Sequence, residues 1–266
     1  MTLLVDKLRA ILRRDLLTAV RHRTGFAMTA LGLLIQLAAF YFLSRAIGPG
    51  FRPGGVEYFP FLLVGTGVYT FFVMSTQAFL STVQEAQQTG TMEVLMTTST
   101  APAELVVLSS ISAFAGNLFS LVGYLFAGVA LFRAPIHMNL VSCLVVLVLS
   151  LAIAMALGLA AATIQVTFQK GAALVWLLSS GVWFLSGTLF PVASLPRPLA
   201  VLAKLIPITH AVDGMRMALL RGEPIFAMVP TVGALAGFSL VLLPLALWGL
   251  TVSLRRARQN GTLSFY

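Results

Sequence analysis

Charged residues are scarce in this sequence. Only 9% of its 266 residues are Asp, Glu, Lys or Arg, whereas 59% are hydrophobic, and the mean hydropathy is +0.97. A soluble domain carries about 25% charged residues, and helices that are apolar on all sides cannot be solvated by water. The composition therefore excludes an ordinary soluble protein and predicts an all-α membrane protein, a single helix bundle over residues 1–266.

The sequence also lacks the motifs of several kinds of active site. It has no G-x-x-x-x-G-K-[ST] motif, so we expect no nucleotide to bind this chain through a P-loop. No His or Cys cluster has the spacing of a metal site. The single cysteine, Cys143, lies in an apolar run and is interpreted as a small packing residue. We therefore predict that the chain is not an enzyme and carries neither a cofactor nor a metal.

Basic residues outnumber acidic ones, with a net charge of +9, but they do not indicate a nucleic-acid site. Six of the seventeen lie in the first 23 residues, and three more are Arg255, Arg256 and Arg258. Both clusters flank apolar segments, where Lys and Arg set membrane orientation and bind anionic lipid headgroups. The expected partners are thus membrane lipids and not nucleic acid.

Six segments are long and apolar enough to cross a bilayer, which needs about 20 residues. They are residues 24–47, 58–82, 105–132, 140–168, 172–190 and 227–254. In residues 1–23, apolar side chains recur every four positions and basic ones lie mostly off that stripe. This spacing predicts an amphipathic helix in the membrane interface, with a solvated basic tail as the alternative.

The distribution of Lys and Arg predicts the orientation. With the N-terminus in the cytoplasm, ten basic residues lie on the cytoplasmic side and seven outside, four of which fall in the long segment 191–226. Short loops carry most of this signal, so both termini are predicted to be cytoplasmic in a multi-pass protein of the plasma (inner) membrane. The acidic stretch 82–104 then also faces the cytoplasm.

Segment 191–226 is neither a span nor an ordinary loop. Prolines, among them Pro191, Pro196 and Pro207, divide it into two short apolar runs. Each run is too short to cross, which predicts a re-entrant helical hairpin on the outer side, before the sixth span. Asp213 and Arg216 are three residues apart and are expected to pair on one helical face, holding the hairpin in place.

The six predicted spans contain no Asp or Glu. Proton- or sodium-coupled carriers usually place ionisable groups within the membrane. If this chain moves a solute uphill, its energy is therefore expected to come from outside the chain. An ion-coupled secondary transporter or channel stays open as an alternative, and a lipid-modifying membrane enzyme has less support.

Two motifs resemble those of the permease subunits of type-2 ABC exporters. The first follows the second span and has the form E-x4-G-T-x-E-x-L-hydrophobic, with Glu85, Gly90, Thr91, Met92, Glu93, Leu95 and Met96. The second follows the fifth span and contains Ser186-Gly187-Thr188-Leu189-Phe190-Pro191, then Leu195-Pro196, then Pro207 and Arg216. The two motifs occur in the family's order and on opposite sides of the membrane.

The resemblance implies a permease that pairs with a second copy of itself or a paralogue, and with two copies of a separate cytoplasmic ABC ATPase that binds ATP and Mg. It implies that residues 85–100 form a coupling helix docked on the ATPase. It also implies a translocation path at the dimer interface. The substrate classes it suggests are a polysaccharide or lipid-linked glycan, or a hydrophobic drug.

Residue chemistry agrees with a coupling role for this segment. Glu85 and Glu93 are acceptors for Arg or Lys on a partner. Gly90 supplies a break, and the Thr91 hydroxyl is an N-cap-like group for a short helix that begins near Met92. The apolar side of that helix would consist of residues three and four apart, Met92, Leu95 and Met96. The alternative is a solvated turn between spans.

Overall fold

The structure is a computed structural model and describes residues 23–91, 102–169 and 171–260. Within these ranges every regular element is helical, and no strand occurs there. The α-helices are α1 (Arg23–Ile47), α2 (Tyr58–Gln88), α3 (Pro102–Phe132), α4 (Leu140–Phe168), α5 (Gly171–Leu185), α6 (Arg197–Lys204), α7 (Pro207–Leu220) and α8 (Val229–Asn260). Short 3-10 turns lie at Pro53–Gly55, Val192–Ser194 and Ile225–Met228.

Four of these helices are long and apolar enough to cross a membrane. They are α2, α3, α4 and α8, the last together with the 3-10 turn before it. In the described part of α1, the apolar stretch Leu31–Ile47 is shorter than these four helices. The helical composition and these four helices agree with a multi-pass membrane protein.

The fifth predicted span is wrong at its end. Helix α5 stops at Leu185, five residues before the predicted boundary, and its 15 residues extend about 22 Å. The hydrophobic core of a bilayer is about 30 Å thick, so α5 alone covers about three quarters of it, and a fifth crossing needs the residues that follow the helix as well. The Ser186–Phe190 segment that follows is not helical, and the carbonyls of Gly187 and Thr188 in it accept hydrogen bonds from Arg216 of α7.

The helices that contain the second and sixth predicted spans are longer than those spans. Helix α2 continues to Gln88 instead of 82, and α8 continues to Asn260 instead of 254. Both extensions still pack, since Val83 of α2 and Ala257 of α8 belong to one buried cluster together with α4. Helix length is thus set by packing between helices rather than by the apolar run alone. The predicted interface helix, residues 1–23, lies outside the described residues except for Arg23.

Helix α2 is the most buried of the long helices. In its most apolar window 72% of the residues are buried, compared with 39% in α4 and 17% in α8. It contacts α1, α3, α4, α5 and α7, and the large rings of Phe72 and Phe79 on it are almost fully enclosed. Helix α2 therefore lies at the centre of the contacts between the helices.

Two short helices, α6 and α7, occupy the proline-rich segment 191–226. Prolines fix their beginnings, because Pro198 lies in the first turn of α6 and Pro207 is the first residue of α7. Helix α7 packs against α2, α4 and α8. Helix α6 instead exposes apolar side chains, among them Val201 and Leu202. At 8 and 14 residues neither helix is long enough to span.

Candidate functional site

Helix α2 ends at a glycine turn. The backbone N–H and the hydroxyl of Thr89 both donate to the carbonyl of Glu85, at 2.9 Å and 2.8 Å. Gly90 follows with a φ of 70°, in the left-handed region where a glycine is strongly preferred after the last turn of a helix. Gly90 therefore forms the break that the sequence predicts at this position.

The hydroxyl of Thr91 is directed back toward α2. It lies 2.9 Å from the Thr89 hydroxyl and 3.5 Å from the carbonyl of Ala86. Its described contacts are thus with the end of the preceding helix, and the predicted N-cap contact falls on residues outside the described ranges. The same holds for the remaining members of the first motif, Met92, Glu93, Leu95 and Met96.

Residues 85–88, which begin the predicted coupling segment 85–100, form the last turn of α2. The tertiary packing of α2 continues through this turn, as Val83 and Ala86 contact the cluster between α2, α4 and α8. Glu85 is exposed on this turn and forms no ion pair with any residue in the described ranges. The turn therefore presents an exposed carboxylate at the end of a long buried helix.

Gln87 in this turn faces the core. It is 1% exposed, and its Oε1 accepts a hydrogen bond of 3.2 Å from Nε2 of Gln165 on α4. The same Nε2 lies 3.4 Å from the carbonyl of Gln169. Gln87 is thus a contact between α2 and α4, and Gln88 beside it is exposed. Sequence reasoning missed this pair because the two glutamines are 78 positions apart.

Replacing Gln87 by alanine is expected to destabilise the protein by about 1 kcal/mol, because a buried hydrogen bond is lost. The midpoint of thermal unfolding of the detergent-purified protein measures this effect. Gln88→Ala removes a neighbouring exposed amide and should change stability by less than about 0.5 kcal/mol. Equal shifts for the two variants would show that the Gln87–Gln165 contact does not stabilise the fold.

At the other end of α2, Arg216 of α7 is buried, with 7% of its surface exposed. Its guanidinium donates to three backbone carbonyls: Phe61 from Nε at 3.2 Å and Nη2 at 3.0 Å, Gly187 from Nη1 at 2.8 Å, and Thr188 from Nη2 at 2.9 Å. The guanidinium carbon also lies 3.4 Å from the ring centroid of Phe61. We call Arg216, Phe61, Gly65, Gly187 and Thr188 the Arg216 cluster.

The Arg216 cluster joins three helices. Gly187 and Thr188 lie in the turn after α5, where backbone carbonyls have left the helix, and Arg216 supplies donors for them. Phe61 belongs to the first turn of α2. Because an arginine in a protein stays protonated, the cluster holds a buried positive charge surrounded by carbonyl oxygens. The arrangement fixes the start of α2 against α5 and α7.

Polar contacts around the cluster support the same turn. Ser186 and Thr188 are completely buried, and their hydroxyl oxygens are 2.7 Å apart. The Tyr58 hydroxyl donates to the carbonyl of Leu189 at 3.1 Å. Prolines of the second motif mark the chain's path onward: Pro191 precedes a 3-10 turn, Pro196 precedes α6, and Pro207 begins α7.

Asp213 lies near Arg216 but is not its main partner. Its Oδ1 is 3.7 Å from Nη1, and its side chain is 46% exposed. Charge-assisted hydrogen bonds are about 2.7–2.9 Å long, so this ion pair is weak beside the carbonyl contacts. The expected pair on one helical face exists, whereas the contacts that bury the arginine join α7 to α2 and α5.

Among the described residues, the side chains at the two ends of α2 form no metal site. Within the described ranges, no group of three or more His, Cys, Asp and Glu residues is placed to hold a metal ion. The two ends belong to one 31-residue helix. Arg216 contacts its beginning, and Glu85 is exposed at its end.

Comparison with known protein families identifies a relationship over most of the chain. A family model described as ABC-2 type transporter matches residues 6–220, which include both ends of α2 and the Arg216 cluster. A search of curated proteins finds no match to this chain.

Proposed function

Because the chain belongs to the ABC-2 type transporter family and is a permease component of such a transporter, we propose that it forms the translocation path of an ATP-driven exporter. In this proposal the chain crosses the plasma (inner) membrane six times with both termini in the cytoplasm. Two copies, or one copy and a paralogue, assemble with two copies of a separate cytoplasmic ABC ATPase. That ATPase binds ATP and Mg, and this chain hydrolyses nothing itself.

The observation that supports coupling is the continuity of α2. The helix is about 45 Å long, extends from the Arg216 cluster to the Gly90 turn, and is buried along most of its length. We expect a displacement of its exposed end to move the whole helix. Arg216 then passes that movement to α5 and α7, because it ties the beginning of α2 to both. Residues 85–96 are the proposed contact with the ATPase, with Glu85 and Glu93 as acceptors for basic residues.

The proposed substrates are a polysaccharide or lipid-linked glycan, or a hydrophobic drug. The hairpin of α6 and α7 is the proposed re-entrant element on the outer side, since both helices are too short to span. Exposed apolar side chains on α3 and α8, among them Phe119, Phe126 and Trp248, suit contact with lipid or with a second copy. In this proposal the translocation path runs along the interface between the two copies.

Charge reversal in the coupling segment tests the proposal. In membranes that co-express the chain with its candidate ATPase, Glu85→Arg and Glu93→Arg should each reduce the co-purified ATPase about tenfold, because each replaces an attraction by a repulsion. Glu57→Arg is the matched control, since Glu57 precedes α2 at the opposite end, and it should leave the ATPase bound.

An ATPase that never co-purifies, or that is lost equally in all three variants, would contradict the proposed coupling. Solute flux into vesicles without ATP that follows an imposed proton or sodium gradient would support the alternative of an ion-coupled carrier. Turnover of a lipid by the purified chain alone would support a membrane enzyme.

A further inference from the structure

A cavity of about 390 Å³ lies at the end of the bundle opposite the Gly90 turn. Its walls come from the end of α1, the segment before α2, the start of α2 and the residues that follow α3. The charged residues in its lining are Arg45, Arg52, Arg133 and Glu57. We call it the arginine pocket.

The arginine pocket has an excess of positive charge. Three guanidinium groups and one carboxylate line it, and none of the three arginines is ion-paired with a carboxylate in the described ranges. Elsewhere in those ranges, Arg216 and Arg221 both have a carboxylate within ion-pair distance. The pocket therefore concentrates unneutralised donors in a concave site, which favours an anion.

Arg45 is held in position within the pocket. Its Nε and Nη2 donate to the hydroxyl of Tyr41, at 3.2 Å and 3.0 Å, and its guanidinium lies 5.5 Å from the centroid of the same ring. A guanidinium has five N–H donors, so these two contacts leave others for a ligand. A positioned donor loses less conformational freedom when it binds an anion.

Arg133 occupies an unusual backbone position at the rim of the pocket. It directly follows the last residue of α3 and has a φ of 52°, in the left-handed region where glycine or asparagine is preferred. An arginine with this backbone conformation is uncommon. The conformation ends α3, and it places Arg133 at the rim of the pocket together with Arg45 and Arg52.

Aromatic side chains form the remaining wall. Tyr58, Phe59 and Phe132 line the pocket, and Phe59 and Phe132 pack with ring centroids 5.4 Å apart. Aromatic residues with an apolar body suit the boundary between lipid and water. The pocket thus combines guanidinium donors with an apolar side, as a phosphate attached to an apolar chain requires.

We propose that the arginine pocket binds a phosphate-bearing group. Guanidinium groups match the geometry of phosphate oxygens through paired hydrogen bonds, which makes arginine the residue of choice for this ligand. The phosphate belongs either to the headgroup of an anionic phospholipid or to a phosphorylated solute. The lipid lies in the outer leaflet if the chain has the orientation given under the proposed function, on which this detail rests. The site does not involve the ATPase contact, since it lies at the other end of α2.

The test measures binding to the full chain purified in dodecyl maltoside. Three probes are titrated: dioctanoyl phosphatidylglycerol, dioctanoylglycerol, which has the same chains and no phosphate, and inorganic pyrophosphate. We expect phosphatidylglycerol to bind at least tenfold more tightly than dioctanoylglycerol. If pyrophosphate competes with phosphatidylglycerol, the pocket binds phosphate groups in general. If pyrophosphate does not compete, the pocket is specific for the lipid headgroup.

Variants locate the binding. Arg52→Gln and Arg133→Asn should each weaken phosphatidylglycerol binding about tenfold, and asparagine keeps the backbone conformation at 133 accessible. Glu57→Gln removes the carboxylate in the lining and should tighten binding about threefold, an effect that a purely structural role does not produce. Arg197→Gln, an exposed arginine of α6 outside the pocket, is the control and should change affinity less than twofold.

The proposal is overturned if both glycerolipids bind equally, if no probe binds, or if Arg197→Gln weakens binding as much as Arg52→Gln. It is likewise overturned if Glu57→Gln weakens binding.

Discussion

Replacing Arg216 by methionine is expected to destabilise the folded protein by about 3–5 kcal/mol, as measured by thermal or denaturant unfolding in detergent. Methionine fills a similar volume but donates no hydrogen bond. The carbonyls of Gly187 and Thr188 then lose their donors in a buried site, and the Phe61 carbonyl loses the contact that joins α2 to α7. Buried polar groups without partners are the most expensive consequence of a substitution of this kind.

Two further variants separate the carbonyl contacts from the ion pair. Asp213→Asn removes the partner at 3.7 Å, and because that carboxylate is 46% exposed the change should be less than about 1 kcal/mol. Arg216→Lys retains the charge but lacks the planar fork, so we expect it to recover only part of the stability. If Asp213→Asn destabilises as much as Arg216→Met, the ion pair and not the carbonyl contacts holds α7 in place.

Local signals in the sequence identify the order of the helices and the Gly90 break. Apolar runs interrupted by Gly and Pro mark where helices stop, since glycine accepts a left-handed conformation and proline lacks a donor. Hydropathy fails where packing continues beyond the apolar run. Helix α2 goes on past Thr82 because Val83 and Gln87 are still enclosed by α4 and α8.

The contacts of Arg216 could not be predicted from the sequence. The i, i+3 spacing identifies Asp213, but the carbonyl of Phe61 is 155 positions away and that of Gly187 is 29 positions away. Backbone carbonyls carry no residue signature, so the three helices that meet at Arg216 are visible only in three dimensions. The arginine pocket escapes prediction for the same reason, since its arginines come from three separate segments.

The two ends of α2 therefore differ in the contacts that they make. The beginning is anchored by a buried charge that touches two other helices, and the end is exposed and bears Glu85. In the proposed coupling, α2 passes on a movement of its exposed end only while this anchor holds. Disturbing the anchor from the α2 side should then have nearly the same result as removing Arg216.

Gly65→Ala provides that disturbance, and we expect a loss of stability of about 3 kcal/mol. A Cβ at Gly65 would overlap Nη2 of Arg216 and would lie 2.7 Å from the backbone carbonyl of Thr188. The arginine end can shift, but the carbonyl moves only with the turn that contains it. The substitution therefore combines overpacking, about 1–3 kcal/mol, with the loss of guanidinium hydrogen bonds.

Gly123→Ala on α3 is the matched control, because a Cβ at that helical glycine has nothing within 4 Å. It should be neutral or stabilise by about 0.5–1 kcal/mol, as alanine favours the helix. In the Arg216→Met background the effect of Gly65→Ala should shrink, since the overlap with Nη2 no longer exists. Strictly additive losses in the double variant, read from the same unfolding curves, would mean that Gly65 and Arg216 stabilise the bundle independently.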